Sequence, residues 1–327
     1  MRILCVDDDP VILELLSEVL RVIGLTNVDY CLSVEEAIKK IDAVEVPYDC
    51  FLFDIQMPSR DGIELVSLVR ANPEYIKSPI LMITAMSDKA YIDRAFAAGA
   101  TDYITKPFEL GEVHARLRLI ETLVLERKQM DDRNPVPMIG RSLSAVAPAD
   151  MDEMLALVDI DGFIQYLALE NYLLKLPRVS LIGMYAVGVT VRNFERTFKG
   201  VSAYEYNCAV TDFAEAISES LKPRKFWGAH AGGEGFVFVL EDGGDFQSDE
   251  FEILLGDTLD SMELHRSDGS PLSLRPVVSE PISLQMKTLK NVVGSLSSAL
   301  KNARLDKNDL LGLNPSDRGG RRRMQRF

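Results

Sequence analysis

Asp7 and Asp8 close one apolar run of the chain, Asp54 closes another, Thr84 a third, and Lys106 follows a fourth. If those runs are strands of a parallel sheet, their C-terminal ends gather on one edge and the five groups meet in a single crevice. The carboxylate oxygens of Asp7, Asp8 and Asp54 are hard ligands of the kind magnesium takes, and magnesium keeps waters and phosphoryl oxygens in its other positions. Three carboxylates at such close quarters stay ionised when a cation sits among them. Asp54 is then placed to attack a phosphoryl donor and form an acyl phosphate. Lys106 offers a positive charge and Thr84 a hydroxyl donor to the transferred oxygens.

The elements that must position these groups are legible as periodicity. Residues 2–6, 50–53, 80–83 and 103–105 are short, mostly apolar strand candidates, and amphipathic helical patterns cover 11–22, 34–41, 63–69 and 91–97. Alternating strand and helix predicts an α/β, doubly wound parallel sheet. Gly24, Gly62 and Gly99 fall where helices should end or begin, and Pro10 stands where a first helical turn tolerates it.

The same residues carry a resemblance. Val-Asp-Asp-Asp-Pro at 6–10, Phe-Asp-Ile-Gln-Met-Pro at 53–58, Asp61 with Gly62, Ile-Thr-Ala at 83–85 and Thr-Lys-Pro-Phe at 105–108 stand in one order. Over residues 1–130 the chain resembles the receiver domain of bacterial two-component response regulators, a flavodoxin-like fold. That resemblance implies Asp54 as phosphoacceptor and Asp7, Asp8, Asp54 and the Gln56 carbonyl as ligands of Mg2+. It also implies Thr84 and Lys106 as phosphoryl-binding groups, Tyr103 as the switch aromatic, and a sensor histidine kinase or phosphotransfer protein as partner.

Composition bounds the rest. The chain's 327 residues leave room for about two domains of ordinary size. With 47% apolar and 26% charged residues it reads as globular rather than disordered. A net charge of −14 argues against an unaided nucleic-acid surface, since phosphate binding needs a basic field. No secretory signal and no apolar run of spanning length is present, so no membrane span and a cytoplasmic location are expected. Cys5, Cys31, Cys50 and Cys208 are scattered without metal-ligand spacing and read as small buried hydrophobes.

After Phe108, Leu110, Val113, Leu117, Ile120 and Val124 recur at intervals of three and four. Such a seam either packs on the receiver sheet or, in its later turns, pairs with a second copy to give a possible homodimer. Residues 131–149, with Pro135, Pro137, Pro148 and Gly140, are expected to form a linker.

In the second half, Gly232-Gly233-Glu234-Gly235-Phe236 stands between two strand-like segments and reads as a hairpin turn. An apolar strand at 182–191 and a helix at 206–221 precede it; a strand at 272–278 and a helix at 289–303 follow. This order predicts an α+β, ferredoxin-like core. Residues 150–314 resemble a GGDEF domain, the family of diguanylate cyclases. The resemblance rests on that turn, on Val-Thr-Val-Arg-Asn-Phe at 189–194 and on Ser-Ala-Leu-Lys-Asn-Ala-Arg at 298–304.

The departures from that family shape the functional reading. Gly235 replaces the second acid of the turn, Thr190 stands where a metal-binding carboxylate belongs, and Glu195 stands where a phosphate-binding lysine belongs. The stretch 223–226 reads Pro-Arg-Lys-Phe in place of the family's inhibitory Arg-x-x-Asp. Two-metal nucleotidyl transfer needs carboxylates for both cations. The second half is therefore expected to be no enzyme but a degenerate GGDEF-like output domain acting through contact with a downstream protein. A phosphorylation-controlled sensor of GTP or cyclic di-GMP is the alternative, and an active cyclase the least favoured. Residues 315–327, with Arg318, Arg321, Arg322, Arg323 and Arg326, form a basic tail.

Overall fold

The computed structural model describes residues 1–85, 89–133, 154–157, 159–233, 235–285 and 287–305. The expected linker beyond Arg133, Glu234 and the basic tail lie outside the described residues.

Five parallel strands form the first sheet: β1 (Ile3–Val6), β2 (Val28–Cys31), β3 (Cys50–Asp54), β4 (Ile80–Thr84) and β5 (Asp102–Thr105), in the order β2-β1-β3-β4-β5. Helices α1 (Pro10–Val22), α2 (Val34–Ala43), α3 (Gly62–Ala71), α4 (Lys89–Ala97) and α5 (Leu110–Arg133) make the crossovers and cover both faces. Strands buried on both faces are apolar throughout, which is why four of them stand out in the sequence. The fifth, β2, is an edge strand whose first three residues are only half-buried, so it leaves no apolar run.

The strand alternation divides the receiver core in two. Ile3 and Cys5 face α1 and α5, packing with Leu16, Leu20, Val113, Leu117, Ile120 and Val124. Leu4 and Val6 face the other way, toward Ala37, Val66 and Phe96. Local signals start three of the helices: Asp9 caps α1 by accepting from the Val11 amide, with Pro10 following as expected, and Ser33 and Asp61 cap α2 and α3.

One expectation for α5 needs correction, and one open alternative is decided by packing. The helix runs to Arg133, past the boundary read at 130. Its seam is spent inside the receiver: Val113, Leu117, Ile120 and Val124 are buried against α1 and the sheet, while Leu110 is 59% exposed and takes no part. The seam thus offers no apolar stripe to a second copy.

The second half begins with α6 (Tyr166–Lys175) and continues through β6 (Tyr185–Val191), α7 (Phe194–Thr197), α8 (Ala203–Leu221), β7 (Phe226–His230), β8 (Phe236–Leu240), α9 (Ser248–Ser261), β9 (Pro276–Val278), β10 (Ile282–Ser283) and α10 (Leu289–Arg304). Two of these strands are shorter than the sequence suggests. A 3-10 turn at Arg178–Leu181 and Gly183 at φ +83° delay β6 to Tyr185, and of 272–278 only Pro276–Val278 pairs with β6. The antiparallel order is β7-β8-β6-β9, with β10 also on β6. With α8 and α9 as the connections, this is a split βαβ arrangement.

Val187, Val189 and Val191 of β6 pack toward α8 and α9. Its other face receives α6 and α10, and α10 comes so close that a Cβ on Gly188 would lie 2.3 Å from the Ala299 carbonyl oxygen. One apolar core then runs without interruption from Phe51, Phe96 and Tyr103 of the receiver to Leu169, Tyr172, Leu296 and Ala299 of the second half. Among the described residues no helix is long and apolar enough to cross a membrane.

Candidate phosphoryl-transfer site

The C-terminal ends of β1, β3 and β5 bring Asp7, Asp54 and Lys106 together, as the strand register requires: Val6 lies opposite Phe53, and Asp54 opposite Ile83. The Lys106 ammonium lies 2.7 Å from Asp7 Oδ2 and 3.1 Å from Asp54 Oδ1. Asp8, on the rim, is exposed, whereas Asp7 and Asp54 are buried. One carboxylate oxygen from each of the three lies within 4.8 Å of the others. Among the described residues no other three ligand-type side chains converge in this way.

Burial of the Asp54 side chain, 4% exposed overall, sets its electrostatics. Its carboxyl is pushed up to about 6 by desolvation first, against the downward pull of Lys106 and with a smaller upward push from Asp7 and Asp8. Burial alone would lower the Lys106 ammonium, but its contacts with Asp7 and Asp54 outweigh that and raise it. A hard divalent cation among three carboxylate oxygens fits this donor set, since it supplies the positive charge they lack. Thr84, fully buried, ends β4, and its carbonyl accepts from the Lys106 amide at 2.7 Å. Gln56 is exposed just past β3.

Tyr103 is buried on β5 and packs edge-on against Phe96, with ring centroids 6.2 Å apart. The Lys175 ammonium, from the second half, stands 5.0 Å from the centre of its ring. Lys175 gave no signal in the sequence because the contact is tertiary. Gly62 was legible as a helix boundary but not as a neighbour of the site: its amide donates to the Ile55 carbonyl at 2.9 Å, and the position faces the Asp54 backbone.

The second candidate constellation is arranged differently. The Gly-Gly turn does join β7 to β8, with Gly232 and Gly233 at φ +87° and +57°, a conformation glycine adopts without strain. Thr190 is 3% exposed and its hydroxyl donates to the Ala303 carbonyl at 3.3 Å. A Cβ on Gly235 would lie 3.2 Å from both the Gly232 carbonyl oxygen and Leu300 Cδ2. Phe236 is buried against Phe163, Phe213 and His230. His230, which the sequence leaves without a role, holds the turn: its Nδ1 accepts from the Leu155 amide at 2.9 Å, so Nε2 carries the proton donated to the Gly233 carbonyl at 3.0 Å. That carbonyl also accepts from the Tyr206 hydroxyl.

Comparison with known proteins bears on the first site. Residues 3–118 match the family described as the response regulator receiver domain. Over 116 residues the chain is 40% identical to the transcriptional regulatory protein YvrH of Bacillus subtilis, covering 36% of this chain and 47% of that one. Over 114 residues it is 32% identical to the signal transduction histidine-protein kinase BarA of Escherichia coli, covering 35% and 12%. Over 123 residues it is 33% identical to the DNA-binding dual master transcriptional regulator RpaA of Synechocystis, covering 36% and 48%. A solved structure of a putative response regulator from Chloroflexus aurantiacus is 39% identical, covering 36% of this chain and 95% of that one, with a TM-score of 0.34. The chain spans about half the length, or less, of these curated relatives. The N-terminal part of the chain, residues 3–118, is a response regulator receiver domain.

Proposed function

We propose that this protein is a phosphorylation-controlled regulator that accepts a phosphoryl group on Asp54 and acts through its second half by contact rather than by catalysis. The observation that carries the first part is the pairing of a buried, raised Asp54 carboxyl with the Lys106 ammonium at 3.1 Å beside two further carboxylates. An Asp54 oxygen attacks phosphorus while the bond from phosphorus to the donor, a histidine nitrogen or an acetate oxygen, breaks and leaves its electron pair on the donor. Asp54 becomes a mixed anhydride. Lys106 neutralises the phosphoryl oxygens, and Thr84 at the end of β4 supplies a hydroxyl donor. Mg2+ held by Asp7, Asp8, Asp54 and the Gln56 carbonyl would add charge neutralisation and align the phosphoryl oxygens. The donor in this reading is a histidine kinase or phosphotransfer protein.

Support for a silent second half comes from Thr190 and Gly235. The first spends its hydroxyl on the Ala303 carbonyl, and a side chain on the second would start only 3.2 Å from Leu300 Cδ2 and from the Gly232 carbonyl oxygen. A GGDEF-like domain without those two carboxylates lacks the groups that hold its cations, and removing one electrostatic stabiliser typically costs about a hundredfold or more in rate. We therefore read this half as a degenerate GGDEF-like module with a protein target.

Intact-mass measurement after incubation with acetyl phosphate and Mg2+ tests the first part: one added phosphoryl group is expected, and none in Asp54→Asn. Labelling that persists in the variant removes Asp54 from the role. Incubating the phosphorylated protein with GTP and Mg2+ or Mn2+ tests the second. Cyclic di-GMP accumulating over many turnovers overturns the non-enzymatic reading, and Thr190→Asp with Gly235→Glu alone is expected to restore none while Glu195 opposes the triphosphate.

A further inference from the structure

Helix α9 (Ser248–Ser261) turns two unlike faces in opposite directions. Inward, Phe251, Leu255 and Leu259 are buried with α8 and the second sheet, and Glu252 accepts from the Val278 amide of β9 at 3.0 Å. Outward, Glu250, Ile253, Leu254 and Asp257 stand at i, i+3, i+4 and i+7, the spacing that aligns residues along one side of a helix. Ile253 is 66% exposed and Leu254 50%. The helix carries Asp249, Glu250, Glu252, Asp257 and Asp260 and neither lysine nor arginine. Arg275 lies 2.8 Å from Asp260 and Arg192 3.9 Å from Glu252, but among the described residues no ion pair reaches Glu250 or Asp257. Asp257 also stands toward the C-terminal, negative end of the helix dipole, where a cation and not an acid is stabilised. An apolar pair set between unanswered acids fits a basic segment with apolar side chains of its own.

We propose that the occupant is the basic tail of this same chain, residues 321–327, docked on α9 within one molecule. Arg-Arg-Arg-Met-Gln-Arg-Phe brings four guanidinium groups to the acids of the stripe and two large apolar side chains, Met324 and Phe327, to Ile253 and Leu254. Guanidinium suits such a contact because it is weakly hydrated and pairs with carboxylates in a fixed fork. The path back to α9 is short. The Thr190 hydroxyl of β6 donates to the Ala303 carbonyl in the last turn of α10, Thr190 pairs with Val277 of β9, and the next residue, Val278, is the one held by Glu252 of α9. The chain therefore leaves α10 one strand away from α9, and residues 306–320 reach up to about 50 Å when extended. The stripe from Glu250 to Asp257 is only about 10 Å long. A tether of this length holds the tail near the stripe at an effective concentration on the order of millimolar, so weak exposed ion pairs suffice. A downstream protein that uses this face must first displace the tail. No phosphoryl group on Asp54 enters the contact.

The test is disulfide trapping in the intact chain, kept dilute, in a Cys208→Ser background that leaves only buried thiols. Leu254→Cys with Gln325→Cys is expected to close an intramolecular disulfide under mild oxidation, and to do so faster at low salt than at high salt. Reversing the stripe with Glu250→Lys and Asp257→Lys should slow closure at least about threefold, the range of two exposed ion pairs. Adding Arg322→Glu and Arg323→Glu to that protein should restore the rate. Every α9 position changed is exposed, so the fold is expected to melt as the parent does. Closure at an unchanged rate after charge reversal reduces the contact to tethering and overturns the proposal. A disulfide-linked dimer as the main product also overturns it, giving the face to the tail of a second copy. So does the absence of any cross-link, with co-sedimentation on phosphatidylglycerol vesicles then assigning the tail to a lipid surface.

Discussion

A Cβ placed on Gly62 would stand 1.8 Å from the carbonyl oxygen of Asp54. The first turn of α3 thus rests directly on the backbone that presents Asp54. Gly62→Ala is expected to push the two apart, lowering stability by about 1–3 kcal/mol as overpacking typically does, and to slow phosphorylation by acetyl phosphate. Thermal melting together with the labelling rate checks both. A variant with unchanged melting and unchanged labelling would show that the backbone yields freely.

Asp54 should make the metal-free protein pH-sensitive in a particular sense. Its folded carboxyl titrates at about 6, above the usual value of 3.8, so its contribution is fully present below the unfolded value and is lost as pH rises through 6. At pH 7 without Mg2+ the buried charge costs up to about 3 kcal/mol, and less to the extent that Lys106 offsets it. Asp54→Asn is therefore expected to raise the melting temperature at pH 7 without Mg2+ and to lose most of the stabilisation that Mg2+ gives the parent protein. Equal Mg2+ responses in the two proteins would count against the ligand set.

His230 has the opposite sign. Burial lowers its imidazole to about 4, although the Gly233 carbonyl acts to raise it. The neutral ring is thus favoured in the folded state, and stability is lost as pH falls from about 6.5 through 4, by up to about 3 kcal/mol. His230→Gln retains one acceptor and one donor and should flatten the acid limb of a stability-against-pH curve between 6.5 and 4. Parallel curves for the two proteins would assign that limb to other groups.

Ile120, 3% exposed, should report on the receiver core and not on assembly. Ile120→Glu buries a carboxylate among Leu117, Val124 and α1, and is expected to lower the melting temperature and broaden the transition while leaving the sedimentation coefficient of any remaining folded protein unchanged. A stable, fully folded variant that has become smaller in solution would return the seam to a role between copies.

What the sequence discloses follows burial and chemical type. Doubly buried strands β1, β3, β4 and β5 appear as apolar runs, and their terminal residues Asp7, Asp54, Thr84 and Lys106 mark the crevice because a parallel sheet leaves little choice of where they meet. Strand β2 escapes because its first three residues are only half-buried and include Asp29, so no apolar run marks it. The α5 seam has a period that suits two partners equally, and only the packing of Val113, Leu117, Ile120 and Val124 on α1 chooses between them. Contacts made across long separations, such as Lys175 with Tyr103, Lys89 with Glu241 or Leu155 with His230, have no local signature, since neither residue needs the other to form its own helix or strand.

The apolar core shared by Phe96 and Tyr103 with Leu169 and Tyr172 means that the end of family resemblance at residue 118 is not a physical edge. Cutting the chain there, or at the close of α5, would leave an oily scar on each fragment where α6 now lies. The smallest piece that melts as the intact protein does is then both halves together, and a single heat-absorption peak, not two, is its calorimetric trace.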